Sequence, residues 1–308
     1  MLKKALIPLS LLAIATILAG CIGQESARVV GTNGIIIKDF GFDYSPIYAE
    51  ETTGLTLTLQ NVGGEKATLK AIDVFGVDAP AATPGNLTWG YGTGDTFSLT
   101  PTDELLPPDP TTGFDGEEYF QEWIPEAPAG IKSSTTYEFQ TRVKYLYSST
   151  FTGKIQVVHN DYLRTLTPEE REALIKVGGV QDASITAGPL SLAAASGRHF
   201  IIRTGDIAEP RSIKFKITNV GSGFPYKTPW DTANLHYVTV TSDEGDIDCT
   251  APQDIKLARG KTGVISCTFT SPADGTFTNK IDKYFSVTLD YGYYVDSAAS
   301  ITVNPILD

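Results

Sequence analysis

At 308 residues, the chain is long enough for two domains of ordinary size rather than one. It carries 36 acidic and 24 basic side chains, and this net charge of -12 argues against nucleic acid as a partner, because phosphates demand a basic face. With 41% hydrophobic residues the chain can build packed cores, whereas three His, three Cys and one Met leave little for metal or nucleophile chemistry.

The first 21 residues have the pattern of a secretory signal. Lys3 and Lys4 precede an uncharged run, residues 5–20, which is short for a membrane span of about 20 residues but normal for a signal peptide. The run ends in Leu-Ala-Gly before Cys21, which resembles the lipobox of bacterial and archaeal lipoproteins. The resemblance implies cleavage after residue 20 and a lipid on Cys21, followed by a lipidated tether over 21–33. The alternative is an uncleaved N-terminal anchor helix.

Two landmarks occur twice in the remaining chain. Leu55–Gly64 (LTLTLQNVGG) matches Ile213–Ser222 (IKFKITNVGS). Farther on, six apolar positions recur with the same spacing in both copies: Phe139, Val143, Tyr145, Tyr147, Ile155 and Val157 match Phe285, Leu289, Tyr291, Tyr293, Ile301 and Val303. This duplication predicts one unit over 34–160 and a second over 186–308. The shorter second offset predicts an insertion in the first unit, which we place in the Pro-rich stretch near 101–128.

The repeated segments alternate apolar and polar residues, which indicates strands with one buried face. Further alternating runs occur at 67–74, 136–147, 154–159, 237–241, 263–270 and 300–303. The Asn-Val-Gly after each repeated strand supplies residues that tolerate left-handed backbone, as a hairpin or bulge needs. Many short strands with Gly and Pro between them predict an all-β chain of antiparallel β-sandwiches.

A single helix is predicted between the units, over 167–177 of a linker that spans 161–185. Thr167 offers an N-cap, Pro168 fits the first helical position, and Glu170 completes a capping box. We interpret this helix as a docking spacer. An amphipathic membrane helix is the alternative, but the acidic residues of its first turns argue against it.

Two aromatic loops and one glycosylation sequon are candidate surface features. Asn86, in Asn-Leu-Thr, is the candidate glycosylation site. Trp89 and Tyr91 lie in one aromatic loop, and Tyr226 and Trp230 lie in the other. Exposed rings would contact a sugar or a protein partner. Buried rings that close the ends of a sandwich would look the same in sequence, and we favour that interpretation.

The two remaining cysteines, Cys249 and Cys267, lie in one unit and suit a disulfide in an oxidising compartment. Two buried free thiols are the alternative. Neither His nor further Cys lies close enough in sequence for a metal site. The acidic stretch 243–248 could offer oxygen ligands to calcium, but it lacks the full loop pattern, so a solvated acidic loop is the favoured interpretation.

An alternating strand followed by Asn-Val-Gly, with a later strand carrying Tyr145 and Tyr147 or Tyr291 and Tyr293, resembles surface domains of the immunoglobulin-like, CARDB-like kind. This resemblance implies two tandem immunoglobulin-like antiparallel β-sandwiches joined by a short helix. It also implies a surface role, and it brings no catalytic residues with it.

We therefore expect a non-catalytic lipoprotein on the extracytoplasmic face of the cell membrane, without metal or cofactor. His159, His199 and His236 are far apart and belong to no catalytic motif. The lipid would hold the protein to the membrane, and the partner would be an envelope glycan, a surface layer or another copy. The alternatives are a ligand-capturing lipoprotein of a transporter and an envelope hydrolase with an unrecognised site. Each sandwich is expected to fold without the other.

Overall fold

The computed structural model describes residues 31–75, 96–177, 179–194, 200–242, 247–249 and 254–306. The predicted signal peptide, Cys21, Asn86, Trp89, Tyr91 and most of the acidic stretch 243–248 lie outside the described residues. Residues 31–308 form one compact unit.

The described part of the chain contains eighteen strands, two α-helices and one short 3-10 helix. The strands are β1 (Ile35–Phe42), β2 (Ile47–Tyr48), β3 (Leu55–Asn61), β4 (Ala67–Phe75), β5 (Thr96–Leu99), β6 (Glu104–Leu105), β7 (Glu118–Trp123), β8 (Thr135–His159), β9 (Val180–Ile185), β10 (Leu190–Ala194), β11 (Phe200–Ile202), β12 (Pro210–Asn219), β13 (Phe224–Tyr226), β14 (Tyr237–Ser242), β15 (Ile247–Asp248), β16 (Asp254–Lys256), β17 (Thr262–Thr270) and β18 (Lys280–Asn304). The helices are α1 (Asn160–Thr165), α2 (Pro168–Val177) and the 3-10 helix Thr232–Asn234. The predicted all-β, mainly antiparallel fold is confirmed.

The predicted helix is confirmed as α2. Thr167 and Glu170 form a reciprocal capping box: the Thr167 N–H donates to Glu170 Oε2 at 2.9 Å, and the Glu170 N–H donates to Thr167 Oγ1 at 3.3 Å. The short helix α1 directly before it was not predicted. Its N-terminus is capped by His159, whose Nδ1 accepts the Asp161 N–H.

Strands β8 and β18 are each 25 residues long and pair with one another antiparallel along nearly their whole length. The separate strands predicted at 136–147 and 154–159 are thus one strand, β8. The end of the second unit is likewise one strand, β18. The reason lies in the intervening residues: Ser148 to Thr152 include neither Gly nor Pro, and although mostly polar they alternate between buried and more exposed positions. Gly153 makes room for the Phe285 ring, which a Cβ would meet at 3.1 Å.

A local twofold axis relates the two copies within this pair of strands. Leu146 pairs with Gly292, and the duplication makes these two residues equivalent. The pairs Tyr145–Tyr293 and Tyr147–Tyr291 flank that central pair symmetrically. The axis therefore passes through the Leu146–Gly292 pair, which we call the seam.

Each long strand begins beside strands of its own copy and ends beside strands that lie outside that copy. The first half of β8 pairs with β4, whereas its second half pairs with β9 and β11. In the same way β18 pairs first with β14 and β13, and its last residues pair with β2. The division predicted between residues 160 and 186 therefore crosses a continuous sheet, and the two copies exchange strands instead of meeting at a spacer helix.

Two smaller sheets cover the opposite halves of this long sheet and bury its core side. The sheet β1-β3-β7 packs on the first half, where Phe42 and Phe139 meet edge to face at 5.0 Å. The sheet β10-β12-β17-β15 packs on the second half, where Phe215 contacts Phe151 at 5.7 Å and Phe285 at 5.9 Å. The buried apolar side chains form one continuous core.

The predicted disulfide between Cys249 and Cys267 is confirmed. It joins β17 to the residue that follows β15, and both sulfurs are fully buried. Closing a loop of this length stabilises the fold by about 3 kcal/mol on the chain-entropy argument. In the first copy the corresponding position on β7 holds Trp123, because Leu55 pairs with Trp123 as Ile213 pairs with Cys267.

Candidate functional site

Four tyrosines from the two long strands form a closed cluster in the core beneath the seam. Neighbouring ring centroids are 5.8 to 6.3 Å apart. We call this cluster the tyrosine quartet; its members are Tyr145, Tyr147, Tyr291 and Tyr293. Aromatic pairs at such distances contribute about 0.5–1.5 kcal/mol each beyond the apolar area they bury. The quartet therefore holds the two copies together at their axis.

The turns that follow the repeated strands form hydrogen bonds to two members of this quartet. Tyr293 donates to Asn219 Oδ1 at 2.8 Å and accepts the Gly223 N–H at 3.0 Å. In the first copy, Tyr147 accepts the Glu65 N–H at 3.1 Å and donates to the Ala187 carbonyl at 2.6 Å. Each tyrosine hydroxyl thereby fixes the turn that follows a repeated strand.

The prediction of left-handed backbone at these motifs is wrong. Neither Gly63 nor Gly221 has a positive φ. They are needed for close approach instead, because a Cβ would lie 2.0 Å from the Tyr147 hydroxyl at Gly63 and 2.6 Å from the Tyr293 hydroxyl at Gly221.

Burial suppresses ionisation of the quartet. It raises the pKa of Tyr147 to about 12 and that of Tyr145 and Tyr291 well above the usual value. The pKa of Tyr293 is raised for the same reason. The phenols therefore stay neutral at physiological pH, and those of Tyr147, Tyr291 and Tyr293 are held by hydrogen bonds in the core.

The two copies differ on the solvent side of the seam. Strand β4 pairs with β8 with a bulge at Lys70, but its counterpart in the second copy is split into β13 and β14 by residues 227–236. The first copy instead has its extra length between β4 and β7, so the insertion begins before the predicted range near 101–128. Residues 227–236, which we call the Trp230 loop, thus belong to the second copy alone.

The Trp230 loop is fixed by stacking on the sheet. The Trp230 ring packs edge to face on Tyr226 at 4.9 Å and on Tyr294 at 5.2 Å, and Lys144 Nζ lies 4.2 Å from its centroid. Such cation–π contacts stabilise by about 0.5–2 kcal/mol. The loop is also closed by a backbone hydrogen bond from Lys227 N to Asn234 O. The loop is therefore held in place by contacts within the unbound protein.

An ion-pair network lies under the loop. Lys144 bonds Asp73 at 2.6 Å, with side chains only 12% and 9% exposed. Arg142 makes two 2.8 Å bonds to Asp296 and lies 4.4 Å over the Tyr294 ring. Removing one partner of the buried Lys144–Asp73 pair would cost several kcal/mol, so this pair helps to hold the loop on the sheet. The Arg142–Asp296 pair is more exposed.

On the other side of the seam the same sheet face stays open and forms a groove of about 380 Å³. We call it the seam groove. Its walls and floor comprise residues of both copies: Glu65, Lys66, Thr68, Leu146, Tyr147, Ser148, Thr228, Thr239, Asp290 and Tyr291. Its volume is at the lower end of the range of about 300–1,000 Å³ usual for small-molecule sites.

The pairing register places the polar groups of the groove on one face. Ser148 pairs with Asp290, and Asp290 pairs with Thr239, so their side chains point to the same side of the sheet. Thr68 lies on that side beside Leu146. Thr239 donates its hydroxyl hydrogen to Asp254.

Several groove side chains have unused hydrogen-bonding capacity. The hydroxyls of Thr68, Ser148 and Thr228 and the carboxylate of Asp290 make no hydrogen bond to any residue that the structure describes. Polar groups in a groove that are free in this way can bond an incoming ligand without breaking internal bonds.

Tyr226 and Trp230, the candidate ligand-contact residues for which buried rings were the favoured interpretation, do not line this groove. Tyr226 is buried, and its ring covers Gly292, where a Cβ would meet it at 2.2 Å. Trp230 is half-buried on the sheet. They support the loop that supplies Thr228, while Trp89 and Tyr91 lie outside the described residues. Sequence reasoning missed Ser148 and Asp290, which are brought together only by the exchange of strands.

The two histidines that the structure describes, His159 and His236, both have structural contacts. His159 Nδ1 accepts the Asp161 N–H at 3.2 Å, and its Nε2 bonds Asp274 at 2.9 Å. Both ring nitrogens are thus engaged in holding α1 and a loop. Burial and Lys256 lower the pKa of His236, whose ring stacks on Phe224. Within the described ranges no group of three metal-binding side chains converges, and no helix there has the length and apolar character to span a membrane.

Comparison with known proteins assigns no family. No protein-family model and no curated protein match the chain. Three solved structures are each 10% identical to it. The first, a protein of unknown function from Porphyromonas gingivalis W83, matches 77% of this chain and 84% of its own with a TM-score of 0.17. Red sea bream transglutaminase matches 91% and 32% with a TM-score of 0.17, and alpha-2-macroglobulin of Escherichia coli matches 88% and 32% with a TM-score of 0.11. Likeness at this level carries no argument about function.

Proposed function

We propose that this chain is a lipid-anchored protein of the cell envelope that binds an envelope partner without catalysing a reaction. The lipobox-like sequence before Cys21 supports the anchor. The buried disulfide supports a location outside the cytoplasm, since such bonds persist mainly in oxidising compartments. Partners of this class are an envelope glycan, a surface layer or another copy of the chain.

The observation that carries the binding role is the seam groove. It lies where both copies are locked together by the tyrosine quartet, and one wall comes from a loop that only the second copy has. Loops that rigid scaffolds position are where binding residues concentrate. A preformed groove of this kind also lowers the entropic cost of binding.

Two measurements test the proposal. Intact mass of the protein extracted from membranes with detergent should show loss of residues 1–20 and a lipid on Cys21. The extracted protein should also bind isolated envelope fractions in a saturable manner. An unmodified N-terminus at Met1, or the absence of saturable binding to every envelope fraction, would contradict the respective half of the proposal.

A further inference from the structure

We propose that the seam groove binds a carbohydrate, specifically a neutral or aminated sugar. The inference deepens the proposed function and rests on it, because it names the chemical class of the envelope partner.

The hydrogen-bonding groups of the groove suit a polyol. Thr68, Ser148 and Thr228 offer hydroxyls that can each donate and accept, and Asp290 offers a carboxylate that only accepts. Sugar hydroxyls also donate and accept, so they can satisfy both kinds of group at once. A purely apolar ligand would cover these groups without bonding them, which costs about 1–3 kcal/mol for each.

The charges in the groove disfavour an anionic ligand. Asp290 and Glu65 both lie in the lining, and the one ammonium there, on Lys66, already pairs with Glu104 at 3.0 Å. An anionic sugar would meet two carboxylates and one neutralised cation. A neutral sugar avoids this repulsion, and an amino sugar adds attraction to Asp290.

The backbone around the groove disfavours an extended peptide. Ser148 and Asp290 are paired residues of adjacent strands, and Thr239 continues the same ladder. The floor is thus a sheet face that presents side chains, whereas peptide recognition by strand addition needs a free sheet edge. Leu146 provides an apolar patch between the hydroxyls against which the C–H face of a sugar ring can pack.

The test is isothermal titration of the full-length, detergent-extracted protein with glucose, galactose, mannose, N-acetylglucosamine, glucosamine and glucuronic acid. We expect saturable binding of at least one neutral or aminated sugar, with glucuronic acid weaker. Ser148→Tyr should abolish binding by filling the groove. Asp290→Ala should weaken it about tenfold or more, because a charge-assisted hydrogen bond is lost. Asp115→Ala, an exposed carboxylate outside the groove, is the matched control and should bind as the wild type does.

Binding by none of the neutral or aminated sugars would overturn the inference, and so would binding that both groove variants leave unchanged. If Ser148→Tyr melts early, Asp290→Ala decides, since its side chain is exposed. Envelope binding without sugar binding would leave the proposed function standing and remove the groove inference. Sugar binding in the groove without envelope binding would instead support the groove as a sugar site and contradict the proposed envelope-binding function.

Discussion

Asn219 shows how one amide side chain can hold the turn after a repeated strand. Its Nδ2 donates to the carbonyls of Gly223 and Gly260, both at 2.9 Å, and its Oδ1 accepts from Tyr293 and the Gly221 N–H. All the hydrogen-bonding positions of the amide are thereby used. Asn is required at this position because the site needs a side chain of this shape that donates two hydrogen bonds and accepts two.

We therefore expect Asn219→Asp to destabilise the protein by about 2–4 kcal/mol, since a carboxylate cannot donate and would face two carbonyl oxygens. The measurement is the free energy of unfolding in urea at neutral pH. Asn279→Asp, at an exposed position, is the control and should change it by less than about 0.5 kcal/mol. Equal effects of the two substitutions would show that the four-bond arrangement contributes nothing.

Ionisation of the Tyr147 phenol is expected to lower the stability of the fold at alkaline pH. Its pKa is about 12 in the folded protein, because it is buried, against about 10 in the unfolded chain. A raised pKa means that the neutral phenol favours folding. Its contribution is complete below pH 10 and is lost as pH rises from 10 through 12.

The melting temperature of the wild type should accordingly stay level to about pH 9 and fall between pH 10 and 12. Tyr147→Phe is less stable at neutral pH because it loses two hydrogen bonds, but it has one ionisable phenol fewer. The difference in melting temperature between the wild type and Tyr147→Phe should therefore become smaller between pH 10 and 12. If the melting temperatures of the two proteins changed with pH in parallel from pH 8 to 12, the raised pKa of Tyr147 would be contradicted.

At the scale of single elements, the sequence predicts those strands whose alternation ends at a turn residue. Strands β3, β4, β12, β14 and β17 and helix α2 lie within a few residues of their predicted positions. The disulfide follows from the location of two cysteines in one unit. The length of β8 and β18 was missed because, as in residues 148–153 of β8 with Gly153, polar residues and a glycine interrupt the apolar alternation although the backbone stays extended.

The seam groove could not be predicted from motifs, because Ser148 and Asp290 meet only through the register of the two long strands. The available signal was the duplication itself. Equivalent strands that each continue without a turn have the length to pair about a local twofold axis. Tyr226 and Trp230 were recognised as notable aromatic residues, but their contacts are with the sheet and not with the groove.

The Trp230 loop depends on Gly292 at the seam. A Cβ at Gly292 would overlap the Tyr226 ring on which Trp230 packs. We expect Gly292→Ala to displace Tyr226 and expose Trp230, which should shift tryptophan fluorescence to the red and increase quenching by iodide. Gly41→Ala is the matched control in a strand, since its nearest neighbouring atom is 3.8 Å away. An unchanged spectrum in Gly292→Ala would show that the ring tolerates the methyl group.

At the scale of the whole described unit, the two copies are joined more closely than a tandem repeat requires. The shared strands place residues of each copy in the sheet of the other, and the quartet closes the core at the axis. A dimer of single copies that exchanged their last strands would have this arrangement, and fusing its two chains would give the present one. Neither copy then contains a complete sheet by itself.

The most direct test of this account is the folding of the two halves, residues 32–162 and 182–308, expressed separately. Each half would leave the second part of its long strand, β8 or β18, without the neighbouring strands that cover it. We predict that neither half is a folded monomer: in sedimentation and thermal melts followed by circular dichroism, each should be unfolded or self-associated, whereas residues 31–308 should melt cooperatively. A monomeric half with a β-rich spectrum and a cooperative melt would contradict the shared-strand account.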